Sequence, residues 1–500
     1  MNPVLEIRAT PLSEKTGNIL EIGLHIQGVD LLQKVYLLQS FAPGSPDEAV
    51  AVDSTQALSG TMRLKTDLPL SDTTYLWIGV QLKPNADLLA HVAVSCTDLR
   101  VASANGGSLL GSHRTPCSAA TPLVPLRLGI ALRQQGQDGV HTSRIPGITT
   151  SVKGTLLAIF DARRELGRDL QGDIDIALHR STDGGRTWGP MQVVLDKGTW
   201  GGLPQKYNGV SDACILSDTV TGDLFVAGTW MYGLLDKKGK FIEGLNSDST
   251  VWEHQWRNRG SQPGWDVRQT AQFLITRSTD DGLTWSEPIN ITRACKKASW
   301  WLLCPAPGNG ITLRDGTLVF PAQGRNEQGV PFSCLVYSQD HGTTWHVSNP
   351  AYSTSTNECA VVELSDGALL LSMRCHDNRG KKEGAGNGRA LAITYDLGQT
   401  WTEHPASRHA LIEPICMASL LQWGDRLLFV NPSSDSTRNQ ITLKMSFDNG
   451  LTWPRDHWVL LDAWNGAGYS CLCAVNDSTL GVLYEGSQAQ LTFQLVSLKK

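Results

Sequence analysis

Three arginines stand where a buried strand would not ordinarily tolerate a charge. Arg144 lies in HTSRIPGI at 141–148, flanked by Ile145 and Pro146. Arg374 ends LLLSMRC, after the apolar run Ala368 to Leu371, and Arg438 follows the polar loop PSSDSTR and precedes ITLKMS. An arginine at a strand terminus is commonly a solvated rim charge. Three at corresponding places in repeated units have a second use, because guanidinium forks arranged around one point bind a carboxylate through charge-assisted hydrogen bonds. Two further residues have the types needed for chemistry: Glu358 in NECAVVEL and Tyr469 in GAGYS. Taken singly, such a Glu faces solvent and such a Tyr packs a strand end.

The elements that would bring these residues together are written into a repeat. STDGGRTW (181–188), STDDGLTW (278–285), SQDHGTTW (338–345), TYDLGQTW (394–401) and SFDNGLTW (446–453) share the form Ser/Thr-x-Asp-x-Gly-x-Thr-Trp. Eight residues recurring every 50 to 100 mark a repeated supersecondary unit, as in a propeller. The Asp can accept backbone N–H groups across a tight turn, and the Gly supplies a positive φ. The Trp is expected to pack against its own sheet. A shared staple cannot itself be a single active site, so these are folding turns.

With 500 residues, 41% hydrophobic and 18% charged, with 49 Gly and 16 Trp, the chain reads as globular, turn-rich and all-β, with about two domains. Residues 1–120 carry no copy of the repeat. Their alternating runs, LEIGLHIQGV and TYLWIGVQL, predict a separate β-sandwich. TPCSAATPLVP at 115–125 reads as the junction. Residues 126–500 hold all five boxes and divide into six four-stranded blades of about 60 residues, one irregular because it joins both ends of the region. The aromatic-rich excursion from Trp230 to Trp265 is expected to be a long loop over one mouth, and Trp252, Trp256, Trp300 and Trp301 are candidates for a sugar-binding wall.

The net charge of −5 and the lack of a basic tract exclude a nucleic-acid partner, and no apolar run is long enough to span a bilayer. The start, Met-Asn-Pro-Val, lacks the features of a signal peptide. That leaves a cytosolic protein or a secreted or periplasmic one whose leader has been trimmed; the latter is the expectation adopted. Eleven cysteines show no metal-ligand spacing. Most read as small buried hydrophobes; Cys471 and Cys473 would share one strand face, and Cys295 and Cys304 could clip a loop around Trp300-Trp301.

The Arg-Ile-Pro triplet, the boxes, NECAVVEL and GAGYS in this order resemble the bacterial exo-α-sialidase (neuraminidase) family from about residue 130 to 490, and the N-terminal stretch resembles the extra β-domain of some gut-bacterial members, expected to be a carbohydrate-binding or spacer module rather than an enzyme. The boxes alone occur in unrelated propellers; the combination is specific. The resemblance implies an arginine triad of Arg144, Arg374 and Arg438, a nucleophile Tyr469 and its paired carboxylate Glu358. It implies an acid/base aspartate within FDARRELGRDLQGDID, where Asp169 is preferred to Asp173 and Asp175. Those two sit at i, i+2 in the strand leading to the first box, which suits a structural role. Arg163 resembles a pocket arginine, and Asp212 an aspartate near the substrate's N-acyl group.

These residue types suit the implied reaction. Sialic acid bears a carboxylate on its anomeric carbon, so an anionic nucleophile would approach against like charge. A phenol approaches neutral, and sialidases are the tyrosine exception among glycoside hydrolases. Phenol ionises only near ~10, so it needs a neighbouring base. No metal or cofactor is needed. The expected partner is a sialylated glycan. Trans-sialidase activity, intramolecular transfer included, and a catalytically silent glycan-binding propeller are the alternatives.

Overall fold

The computed structural model describes residues 2–11, 17–44, 46, 49–57, 59–105, 108–117, 126–169, 172–200, 205–232, 261–267, 269–352 and 355–498. The fold is all-β. Among the described residues, helix is confined to short turns, and no helix is long and apolar enough to cross a membrane.

Up to residue 116 the chain forms two antiparallel sheets. One runs in the order Asn2–Ala9, Thr74–Leu82, Leu32–Ser40, Val50–Gln56; the other in the order Thr61–Leu70, Gly17–Gln27, His91–Asn105, Ser108–Pro116. Alternating residues of both sheets, among them Ile7, Ile22, Leu24, Val35, Leu64, Ile78 and Val94, make one buried core. Leu126–Arg127, just past the junction, pairs with His91–Val92.

Among the described residues from 129 onward, a unit of four antiparallel strands repeats. The units begin with Thr142–Thr150, Asn208–Ser217, Leu302–Pro305, Thr356–Glu363, Ser419–Trp423 and Ser470–Asn476. The sixth unit takes its second and third strands from Thr479–Tyr484 and Leu491–Ser497, and its fourth from Gly129–Arg133 at the start of the region. Apolar packing follows the same cycle. Six buried clusters each join neighbouring units: first to second, second to third, and on through fifth to sixth and sixth back to first.

Each box turns from the third strand of a unit to its fourth. In the first, Asp183 Oδ1 accepts the N–H groups of Arg186 (3.1 Å) and Thr187 (2.9 Å), and Oδ2 accepts the Thr187 hydroxyl (2.6 Å). The Ser181 hydroxyl donates to Asp183 and accepts the Gly185 N–H. The sixth unit has no box for a topological reason: its third and fourth strands come from opposite ends of the region, so no turn joins them.

The box tryptophans depart from expectation, since they bridge units rather than packing only on their own. Trp188 meets Phe493 of the sixth unit edge-on at 5.0 Å, and Trp345 lies 6.0 Å from Phe225 of the second. The box glycine explains this. Gly185, Gly282 and Gly342 have positive φ, and a Cβ there would also collide with Phe493, Leu157 and Phe225 of the preceding unit. Each turn thus receives a neighbour's side chain, and Phe493→Ala would cost about 3–5 kcal/mol.

Cys471 and Cys473 do share one buried face. Cys295 and Cys304 are free and buried in the packing of their units, so they clip no loop. The disulfide lies elsewhere, joining Cys96 to Cys117 beside the junction. Trp230 is a buried strand residue, so the excursion starts only after Tyr232. Most of it, with Trp252 and Trp256, lies outside the described residues.

Candidate active site

Local backbone irregularity aims the key side chains. Strand pairing shifts register between Arg144 and Gly147, between Ser211 and Cys214, and between Thr356 and Cys359. A bulge bends a strand and redirects a side chain that strict alternation would send into the inter-sheet packing. All three shifts lie in the first strands of their units, beside Arg144, Asp212 and Glu358. Two carry a positive φ, 59° at Ile145 and 55° at Asp212. For β-branched Ile145 that is a strained conformation.

Tyr469 is the hub. Its ring is buried, and its hydroxyl donates a short hydrogen bond to Glu358 Oε1. Arg374 Nη1 donates to Glu358 Oε2 at 2.6 Å and to the Tyr469 oxygen at 2.9 Å. The guanidinium carbons of Arg144 and Arg438 lie 5.3 and 5.5 Å from the Tyr469 ring centroid. All three arginines therefore surround one phenol. Burial, then the Glu358 charge, push that phenol well above its ordinary ionisation range, against the pull of Arg374 and Arg438. At rest it is protonated, with a carboxylate in place to take the proton.

Each flanking arginine is held from behind. Glu485, 1% exposed, accepts Arg144 Nε (2.6 Å) and Nη2 (3.0 Å), the Ile145 N–H (2.7 Å) and the Tyr469 N–H (3.1 Å). One carboxylate thus fixes an arginine, the strained residue beside it and the tyrosine backbone. Arg438 donates to Ala467 O (2.9 Å) and Ile415 O (3.3 Å). Behind Arg374, the buried pair Arg389–Glu413 (2.5 Å) anchors the Cys375 N–H at 2.7 Å.

On the facing wall, Asp169 is two thirds exposed, 2.7 Å from Arg163 and 4.0 Å from Arg144. Partial desolvation would raise its ionisation range, but Arg163, Arg144 and Arg438 prevail and hold it below the usual value. Arg163 is buried and also donates to Gly167 O (2.9 Å) and to Asp161 (3.1 Å). Asp161 takes the Ser211 hydroxyl at 2.5 Å; burial, only partly countered by Arg163 and Ser211, pushes it up to about 6. Asp212 is raised well above the usual carboxylate range, first by burial and then by Glu358, Asp161 and Asp169. That favours a protonated carboxyl able to donate a hydrogen bond.

A cavity of about 360 Å³ opens onto these groups. Asp169, Asp212, Glu358, Arg374 and Tyr469 line it; Arg144, Arg163 and Arg438 join through the contacts above. Asp175 pairs with Arg164 (2.5 Å) and Asp173 meets Gln205 (3.4 Å), and neither lines the cavity. Trp300 is 2% exposed and packs on Phe332, while Trp301 donates to Glu327 O; neither forms a sugar wall. Sequence reasoning missed Gln323, Arg325, Asn357 and His376 on the wall, and Glu485 behind it. Glu485 carried a usable signal, an acid directly after the apolar run Gly-Val-Leu-Tyr, the kind of placement that singled out Arg374.

A family model described as a BNR repeat-like domain matches residues 145–413. A sialidase of Bacteroides fragilis (strain YCH46) is 41% identical, over 97% of this chain and 86% of its own. A sialidase of Micromonospora viridifaciens is 32% identical over 72% of this chain and 52% of its own. The solved structure of Hadza microbial sialidase Hz136 superposes with a TM-score of 0.81 at 33% identity, covering 98% of this chain and 95% of that one. The chain belongs to the bacterial sialidase family of glycoside hydrolases.

Proposed function

We propose that this exo-α-sialidase removes terminal α-linked sialic acids from glycoproteins, mucins, glycolipids and oligosaccharides through a tyrosyl intermediate, with net retention. The observation that carries this reading is the Tyr469 hydroxyl bonded to Glu358 within a ring of three guanidinium groups. The triad of Arg144, Arg374 and Arg438 grips the substrate carboxylate and orients the anomeric carbon. Tyr469 Oη attacks that carbon as Glu358 takes the phenolic proton and the glycosidic C–O bond breaks. Asp169 protonates the departing oxygen. Water then attacks from the opposite face, its proton goes to Asp169, and the phenolate recovers its proton from Glu358. Two inversions give retention. Arg163 positions Asp169, and Asp212 meets the N-acyl group.

The six units, with clusters closing from the last back to the first, are read as blades of a six-bladed propeller over 126–500. Residues 1–120 are read as a separate β-sandwich. A secreted or periplasmic location suits the Cys96–Cys117 disulfide.

The test is NMR of early products from a sialyllactose. Free α-sialic acid appearing first is expected. The β-anomer first would reject a double displacement, and an anhydro sugar without free sialic acid would establish intramolecular transfer.

A further inference from the structure

Strand alternation sends Leu76, Ile78 and Val80 into the N-terminal core and turns Trp77 to the opposite face of its sheet. An outward-facing tryptophan would be exposed on an isolated domain, yet Trp77 is fully buried, and its register partner Leu38 is 2% exposed. Part of the cover is the segment that leads into Tyr469. Trp464 meets Trp77 edge to face, with centroids 5.1 Å apart and rings at 84°. The Asn465 N–H donates to Gly44 O (3.3 Å), and the Gly44 N–H donates to Glu6 (2.9 Å). Trp77 Nε1 donates to the Ser40 hydroxyl (3.0 Å), which donates to Ala42 O (2.8 Å) and so braces the turn carrying Gly44.

From Trp464 the chain reaches Tyr469 through Asn465, Gly466, Ala467 and Gly468. This run offers little side-chain surface to pack, and glycine gives it wide backbone freedom. It must be held by its backbone and its ends. Gly466 N–H donates to Arg438 O (3.0 Å), Ala467 O accepts Arg438, and Gly468 N–H donates to Glu485 O (2.9 Å). The outer end is held by Trp464 against Trp77.

We infer that Trp77 of the N-terminal domain is a positioning residue for the tyrosine nucleophile, acting through Trp464. The N-terminal domain is thereby part of the catalytic apparatus, in addition to any glycan-binding or spacer role. The inference rests on the reading of Tyr469 as nucleophile.

The experiment measures covalent labelling of the full chain by 2,3-difluorosialic acid, with rates normalised to binding sites titrated by an unsaturated planar sialic acid analogue. Trp77→Ala and Trp464→Ala are expected to slow labelling and lower kcat about 10- to 100-fold, the range set by small misplacements of reacting groups. KM is expected to move less than kcat, because Arg144 and Arg374 are held elsewhere, by Glu485 and Glu358. Trp77→Phe restores most of the rate, and the double alanine variant is no slower than the worse single one. Trp464→Leu keeps apolar bulk without the edge-to-face contact and carries the same test if an alanine variant fails to fold. An unchanged labelling rate per site, with only the melting temperature lowered, overturns the inference. Absence of an adduct on Tyr469 in the unsubstituted protein would instead reject the nucleophile reading itself.

Discussion

The Tyr469 hydroxyl and the Glu358 carboxylate, 111 residues apart in the chain, share a direct hydrogen bond. Arg374 donates to both, so attack and proton transfer are prepared in one cluster. Glu358→Gln preserves size but removes the base. kcat is expected to fall about 10²- to 10⁴-fold, the usual weight of positioned acid–base help. Steady-state kinetics with an aryl sialoside checks this, and near-normal kcat would exclude Glu358 as base.

Glu485 does not itself line the cavity, yet it holds Arg144, Ile145 and the Tyr469 backbone. Glu485→Ala strands a desolvated guanidinium, a loss of about 3–5 kcal/mol when a buried pair is broken. A lower melting temperature and a KM raised at least tenfold are expected, since Arg144 would no longer be fixed for carboxylate binding. Calorimetry and kinetics together decide; an unchanged KM would show that Arg144 is not held for substrate.

Asp169 is kept ionised in the free protein by Arg163, Arg144 and Arg438. An arriving substrate carboxylate would occupy two of these cations, so Asp169 should hold its proton to higher pH in the complex. The basic limb of kcat is therefore expected at higher pH than that of kcat/KM, which reports the free enzyme. Asp169→Ala should lose about 10²-fold or more on sialyllactose and far less on a nitrophenyl sialoside, whose leaving group needs no proton. Equal losses on both substrates would remove Asp169 from that role.

The box aspartates have a pH signature. Asp280 and Asp340 are held at about 2, chiefly by the hydroxyls and N–H groups of Thr284 and Thr344. Unfolded aspartate titrates near ~3.9. Their contribution is fully present above about pH 4 and is lost as pH falls toward about 2. Melting temperature followed from pH 5 to 2 should drop across that window, with a shallower slope in Asp280→Asn. An identical slope in the variant would deny the box that role.

Much of this was legible in the sequence because the repeat encodes its own geometry. The spacing of Asp, Gly, Thr and Trp specifies a turn, and five turns at strand intervals specify the repeated unit. Arg144, Arg374 and Arg438 were visible because a charge borders an apolar strand segment in each case. The inter-unit packing of Trp188 was not visible, since its partner Phe493 lies some 300 residues away and alternation says nothing about neighbours. Nor was the Cys96–Cys117 bridge, because pairing depends on which strands are adjacent. Trp300 misled as a sugar-wall candidate because burial between units looks, in sequence, like any other aromatic in a loop.

The tyrosyl intermediate is sought by peptide mass spectrometry after reaction with 2,3-difluorosialic acid, whose fluorines slow breakdown of a covalent intermediate. A single sialosyl adduct is expected on the peptide bearing Tyr469, abolished in Tyr469→Phe. An adduct on Glu358 or Asp169, or turnover at the normal rate by Tyr469→Phe, would contradict it.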